Sequence, residues 1–320
     1  MSPAPAVGID IGGTKIAGAL VDSMGRITHR EQLPTPGEET VDVLDTTAQM
    51  VTTLVAAAGG DVSGIGMACA GMVDGRAGRL WFSPNLPLRD LDVAAEIRQR
   101  TGHDVVLEND ANAAAWGEYR FGAGIDCNDM LLATVGTGIG GGCIIDDRLL
   151  RGAFGIGGEI GHITIDPNGP RCGCGNDGCL EVYASGTALE RYARELIASG
   201  EAKGAGLRHR CGGTPEALTG QDVTELARAG DEGAVALFAQ LGARLGEGLA
   251  SVCAVVDPAV VVIGGGVADT GALLIGPTTE AFAAHLIGRG HRPSPTIVVA
   301  ALGNDAGLVG AAALARESTA

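Results

Sequence analysis

Short runs rich in Val and Ile alternate along this chain with glycine turns and with longer stretches of helical periodicity. The first run, Val7-Gly8-Ile9-Asp10-Ile11, predicts a buried strand. A glycine turn follows, then a second strand over residues 16–21, and Ser23-Met24-Gly25 turns the chain into a third strand near Ile27. Strands joined by such tight turns make an antiparallel meander. Val43, Leu44, Val51, Leu54 and Val55 recur at helical spacing and predict a helix over 40–57. Residues 65–70 then read as strand, 91–100 as helix, 105–107 as strand and 111–119 as helix.

The opening pattern then repeats. Residues 131–135 predict a strand, Gly136-Thr137-Gly138 a turn, and 142–145 a second strand, with Asp146-Asp147 in the place that Asp22-Ser23 held before. Two copies of strand, glycine turn and strand, each opening one half of the chain, point to a duplicated α/β unit with a cleft between the two turns. Helices are expected over 187–198 and 230–256, a strand over 259–263 running into Gly264-Gly265-Gly266, and a closing helix over 306–316; residues 200–214 read as a surface excursion.

Composition narrows the classes. Aromatics are only 3% of residues, so the core must be built from Val, Ile, Leu and Ala, which suits a parallel or mixed α/β sheet. A formal charge of −16 removes any general attraction for nucleic acid or an anionic membrane, so an anionic ligand must be held locally. Residues 1–6 lack the basic and apolar regions of a signal peptide, and Asp257-Pro258 breaks the longest late apolar stretch. The expectation is a cytoplasmic chain without membrane spans.

Asp10-Ile-Gly12-Gly13-Thr14-Lys15 sets a carboxylate at a strand end, then bare backbone, a hydroxyl and a cation. Glycines let amides approach a phosphate, and the aspartate suits Mg²⁺. Gly136-Thr137-Gly138 offers the same chemistry from the other half, and two such turns can grip a polyphosphate. No P-loop lysine follows a glycine at the right spacing, and Gly136-x-Gly138-x-x-Gly141 runs into strand rather than the helix that a dinucleotide fingerprint needs.

Cys172-x-Cys174 followed by Cys179, with His162 ten residues before the first, is the most specific cluster. Three thiolates and one imidazole make a closed, structural zinc site with no place for an activated water, which argues against a zinc hydrolase. Glu159 and Glu181 flank the loop, where fixed carboxylates beside a metal-oriented histidine can read hydroxyl groups. The remaining cysteines show no ligand spacing. Asn109-Asp110, where a strand meets a helix, serves equally well as a helix cap or as a general base with a neighbouring amide.

These motifs together resemble the ROK family of bacterial sugar kinases and sugar-responsive repressors. The likeness rests on Cys172-Gly-Cys174-Gly-x-x-Gly178-Cys179-x-Glu181 with Gly158-Glu159-Ile-Gly-His162 before it. It rests also on the Asp10–Lys15 turn, Glu108-Asn109-Asp110-Ala-Asn112-Ala, Gly136-Thr-Gly-Ile-Gly-Gly and Gly264-Gly-Gly-Val267. The resemblance implies a two-domain actin/hexokinase-like (ribonuclease H-like) fold, with a small α/β domain of residues 1–122 plus 305–320 and a large one of 123–304 carrying the zinc loop.

It further implies an ATP-dependent kinase acting on the 6-hydroxyl of glucose, with other hexoses or polyphosphate as variants, and a homodimer or homotetramer. By the same likeness Asp110 is the base, and Asn85, Asn109, Glu159, His162 and Glu181 hold the sugar. Gly12, Gly13, Thr14, Lys15, Thr137 and Gly138 hold ATP phosphates, Gly265 and Gly266 lie near adenosine, and Asp10 serves Mg²⁺. A non-enzymatic sugar sensor is the alternative, but Asp10 stands too near the start to leave room for a DNA-binding segment before it.

Overall fold

The computed structural model describes residues 3–37 and 39–318. The chain begins with β1 (Ala6–Ile11), β2 (Lys15–Val21), β3 (Ile27–Pro34), α1 (Thr40–Ala57) and β4 (Ile65–Cys69). A small meander follows, β5 (Met72–Asp74), β6 (Arg79–Phe82) and β7 (Arg89–Asp92), then α2 (Val93–Thr101), β8 (Val106–Asn109) and α3 (Asp110–Phe121). The second repeat is β9 (Met130–Val135), β10 (Ile139–Ile145) and β11 (Arg148–Leu149). Then come α4 (Glu181–Ala184), α5 (Gly186–Ala198), α6 (Ala205–Arg210), α7 (Gly220–Arg228), α8 (Glu232–Val256), β12 (Val260–Gly264), α9 (Ala272–His285), β13 (Thr296–Val299) and α10 (Ala306–Ser318).

Contacts divide the chain into two units. The first takes the residues up to Leu132, then Gly142–Gly158, and again from Ala300 onward; the second takes Ala133–Gly141 and Glu159–Val299. The expected bounds, 1–122 plus 305–320 against 123–304, differ from this division: 123–132, 142–158 and 300–304 lie with the first unit, where Arg151, for one, pairs with Glu108.

The first unit is built on a sheet of order β3-β2-β1-β4-β8. β1 runs antiparallel to β2 and parallel to β4, and β4 runs parallel to β8. Register brings Ile11 beside Cys69 and Cys69 beside Asn109, so three parallel strands end at one level. Asp10 and Asp110 stand at that edge, the carboxyl end where α/β sheets bind ligands. Strand alternation sorts the faces. Val7, Ile9 and Ile11 join Val43, Met50, Val51 and Leu54 of α1 in one core, while Ala6 and Ala19 pack with Leu308, Val309 and Ala312 of α10 on the other side. Helix and sheet approach very closely there: a Cβ on Gly66 would stand 1.9 Å from the Ala311 carbonyl oxygen.

The second sheet has the order β11-β10-β9-β12-β13, with β12 and β13 parallel. The duplicated strand–turn–strand pattern is therefore real, although β10 starts at Ile139 and not at Gly142 as expected. Several elements escaped periodicity. Arg89–Asp92 is strand where a helix start was expected, and the Asp92 side chain caps α2 by accepting from the Ala95 amide at 3.0 Å. Residues 200–214 are not a plain excursion, since α6 anchors them through fully buried Leu207. α9 carries Pro277 inside it and is apolar nearly all round, so it shows no helical stripe, yet it buries Leu274, Thr278 and Phe282 on one face. No helix among the described residues is long and apolar enough to cross a membrane.

Candidate functional site

In the first unit, the turn between β1 and β2 closes when the Gly12 amide donates to the Lys15 carbonyl at 3.0 Å. Thr35 backs it: its hydroxyl donates to the Gly12 carbonyl at 2.6 Å and its amide to the Thr14 carbonyl at 3.0 Å. The turn's carbonyls are thus tied behind it. Among the described residues no carbonyl or side chain takes the amides of Gly13 and Thr14. Exposed Asn85 lies against this turn, for a Cβ on Gly13 would meet the Cβ and carbonyl oxygen of Asn85 at 3.0 Å.

Asn109 caps α3, its side-chain oxygen accepting from the Asn112 amide at 3.0 Å. Its amide group donates to the Gly71 carbonyl and to Asp110 Oδ1, both at 3.0 Å. Of the pair, Asn109 is therefore the helix cap, and the Asp110 carboxyl lies buried beside it. Burial pushes the Asp110 carboxyl upward, against hydrogen bonds from the Ala111 amide and from Asn109. Asp10 is pushed up to about 6, first by burial and then by the charge of Asp110, with Lys15 opposing. The two aspartates share one neighbourhood around Cys69, whose buried thiol is raised by burial and by both charges. A depression of about 280 Å³ lies beside Asp10, lined also by Lys15, Arg30, Gln32, Asn304 and Asp305.

In the second unit, Gly136-Thr137-Gly138 closes through the Gly136 amide donating to the Gly138 carbonyl at 3.0 Å. Its backing mirrors the first turn. The Gly186 amide donates to the Gly136 carbonyl at 2.7 Å, and the Thr187 amide and hydroxyl donate to the Thr137 carbonyl at 3.3 and 2.8 Å. Among the described residues no partner takes the amides of Thr137 and Gly138. Gly265, at φ +85°, packs on the end of β9, where a Cβ would stand 2.5 Å from the Val135 carbonyl oxygen; Gly266 beside it is exposed.

His162, Cys172, Cys174 and Cys179 converge, each offering a ligand atom within 4.8 Å of all the others. Cys172 Sγ lies 3.6 Å from His162 Nδ1, and the sulfurs of Cys174 and Cys179 are 3.6 Å apart. A tetrahedral zinc ion with bonds of about 2.3 Å to sulfur and about 2.0 Å to nitrogen needs ligand edges of roughly 3.5–3.8 Å. The donor set fits that ion. Glu181 Oε1 lies 3.7 Å from Cys172 Sγ, and half-buried Glu159 directly precedes the short 3₁₀ turn that carries His162.

Spacing alone missed the two backing threonines, Thr35 and Thr187, and the Glu108–Arg151 pair described below. No local pattern marks them, because each partner is far away in sequence. An Asp or Asn repeat signals a cap; a threonine behind a turn looks like any other polar residue.

The fold and the site define a class: an α/β chain of two units, one with carboxylates and a glycine turn at parallel strand ends, the other with a second glycine turn beside a closed Cys/His cluster. The chain belongs to the ROK family, whose model matches residues 6–318. It is 41% identical over 313 residues to a glucokinase of Streptomyces coelicolor, covering 97% of each chain. It is 36% identical over 319 residues to a glucokinase of Thermotoga maritima, again covering 97% of each. Among solved structures it is similar to a ROK family glucokinase from Streptomyces griseus in complex with glucose and AMPPNP, with TM-score 0.86 and 43% identity over 98% of this chain and 99% of that one.

Proposed function

We propose that the chain is an ATP-dependent glucokinase, transferring the terminal phosphoryl group of MgATP to the 6-hydroxyl of glucose to give glucose 6-phosphate and ADP. The observation that carries this reading is Asp110: a carboxylate at the end of β8, raised by burial, with its neighbour Asn109 and not itself serving as the helix cap. The likeness to glucokinases over nearly the full length supports glucose and ATP as the substrates.

Phosphoryl transfer needs in-line positioning, stabilisation of charge on the moving group, and a base at the attacking hydroxyl. Asp110 takes the proton from the 6-hydroxyl. Asn85, Asn109, Glu159, His162 and Glu181 hold the remaining hydroxyls. The amides of Gly12, Gly13 and Thr14, with Lys15, and those of Thr137 and Gly138 receive the phosphates, while Gly265 and Gly266 border the adenosine. Asp10 holds Mg²⁺, which when bound neutralises phosphate charge. His162, Cys172, Cys174 and Cys179 hold a structural zinc that fixes the His162 ring. A cytoplasmic homodimer or homotetramer working in carbohydrate metabolism completes the reading.

The test is ADP release from MgATP across a panel of hexoses, wild type beside Asp110→Ala. Turnover on glucose that vanishes in the variant is the expected result. Turnover on another hexose alone reassigns the acceptor, and silence on every sugar with ATP overturns the reading.

A further inference from the structure

The Glu181 carboxylate faces two ways. Its Oε1 stands against Cys172 of the metal cluster, and its Oε2 accepts the Ile139 amide at 3.0 Å. Ile139 is the first residue of β10, directly after Gly138 of the second glycine turn. The packing leaves no slack: a Cβ on Gly138 would fall 2.3 Å from Glu181 Oε2. The other side of the same residue is held by the histidine ligand's neighbour, since a Cβ on Gly161 would stand 2.2 Å from the Ile139 carbonyl oxygen. The remaining carbonyls of the turn rest on Gly186 and Thr187, a few residues beyond Glu181. The turn is therefore seated on the metal loop and its exit segment at both of its ends.

We infer that Glu181 is a positioning residue for the donor turn as well as a ligand for sugar, so that the metal loop sets the aim of the Thr137 and Gly138 amides. This rests on the proposed reading of that turn as a phosphate holder. A charged acceptor fixes the Ile139 amide and, through the plane of that peptide, the Gly138 carbonyl that closes the turn; the Thr137 and Gly138 amides share their planes with the Gly136 and Thr137 carbonyls, which Gly186 and Thr187 hold just beyond Glu181. Occupancy at one end then constrains the other: sugar hydroxyls drawing on Glu181 and phosphate drawing on Gly138 act on one carboxylate.

The experiment is calorimetric binding, without turnover, of MgAMPPNP alone and glucose alone to wild type, Glu181→Gln and Gly138→Ala, all holding the metal and matched by circular dichroism. Glu181→Gln should weaken MgAMPPNP roughly tenfold, the order expected when a charge-assisted hydrogen bond that orders a loop becomes a neutral one. Gly138→Ala, whose added methyl meets Glu181 alone among the sugar-binding residues, should weaken glucose by a similar factor. If each variant loses only its own ligand, Glu181 binding sugar and Gly138 binding nucleotide independently, the coupling is wrong while the kinase reading stands. If wild type itself binds no MgAMPPNP, the donor reading falls and this inference falls with it.

Discussion

Glu108 Oε2 lies 2.6 Å from Arg151 Nε, with the Glu108 side chain only 1% exposed. Its other oxygen accepts the Asn109 amide and the Asn112 side-chain amide, each at 3.1 Å. One buried carboxylate thus ties the segment after β11 to the strand–helix junction that presents Asp110. Breaking a buried pair by removing one member leaves an uncompensated charge, at a cost of about 3–5 kcal/mol. Arg151→Ala should therefore lose stability on that scale in urea unfolding, and its turnover should fall because the Asn109–Asp110 junction loosens. A loss under about 1 kcal/mol, the range of an exposed pair, would show that the carboxylate finds water or another partner.

Asp110→Asn should reduce kcat by at least about a hundredfold, the usual contribution of a positioned general base, while glucose affinity changes only a few-fold. The wild-type pH profile carries a second check. The base works ionised, and burial raises its pKa, so activity should fall with decreasing pH above the range of an ordinary aspartate, about 3.9. An acid limb at or below pH 4 in glucose turnover would contradict the assignment.

Asp10 makes a prediction of opposite sign for stability and function. Its pKa, raised from 3.8 to about 6, means that the folded state holds the proton more tightly than the unfolded chain between those values. Stability from this group is therefore greatest at low pH and declines as pH rises to about 6. Above that, ionised Asp10 is a standing cost. Asp10→Asn should stabilise the ligand-free protein by about 1–3 kcal/mol at pH 8 and by clearly less at pH 5. The same variant should lose most of its Mg²⁺-dependent turnover. Equal stability of both proteins at both pH values would refute the burial argument.

Cys174 is the exposed member of the metal cluster and so can be changed with little disturbance of packing. Cys174→Ser should leave zinc, measured by elemental analysis after dialysis, well below one per chain. Glucose binding should weaken with it, since the His162 ring loses its anchor. Full zinc content with weakened glucose binding would separate the two roles.

Much of this was legible along the chain. The strand–glycine–strand repeat, the cysteine and histidine spacing, and Asn109-Asp110 at the head of α3 are local patterns, set by alternation, by the need of backbone to approach a ligand, and by capping chemistry. What periodicity could not supply was of two kinds. α9 is apolar nearly all round, so nothing in its own residues says which side faces α8; β13 and the β5–β7 meander are too short for a pattern to stand out. That Asn109 caps α3, which the sequence left open, was decided by the folded structure.

The sequence by itself determined which chemical groups this protein carries and the local turns that display them, because turns, caps and metal spacing depend on residues near one another in the chain. Only the tertiary structure decided how those groups are held: Thr35 behind one turn, Thr187 behind the other, Arg151 against Glu108, and Glu181 between the metal loop and Ile139. The hydrogen bonds from Thr35, Thr187, Arg151 and Ile139 join residues 23 to 50 positions apart, and their partners are chosen by packing, which no local pattern encodes.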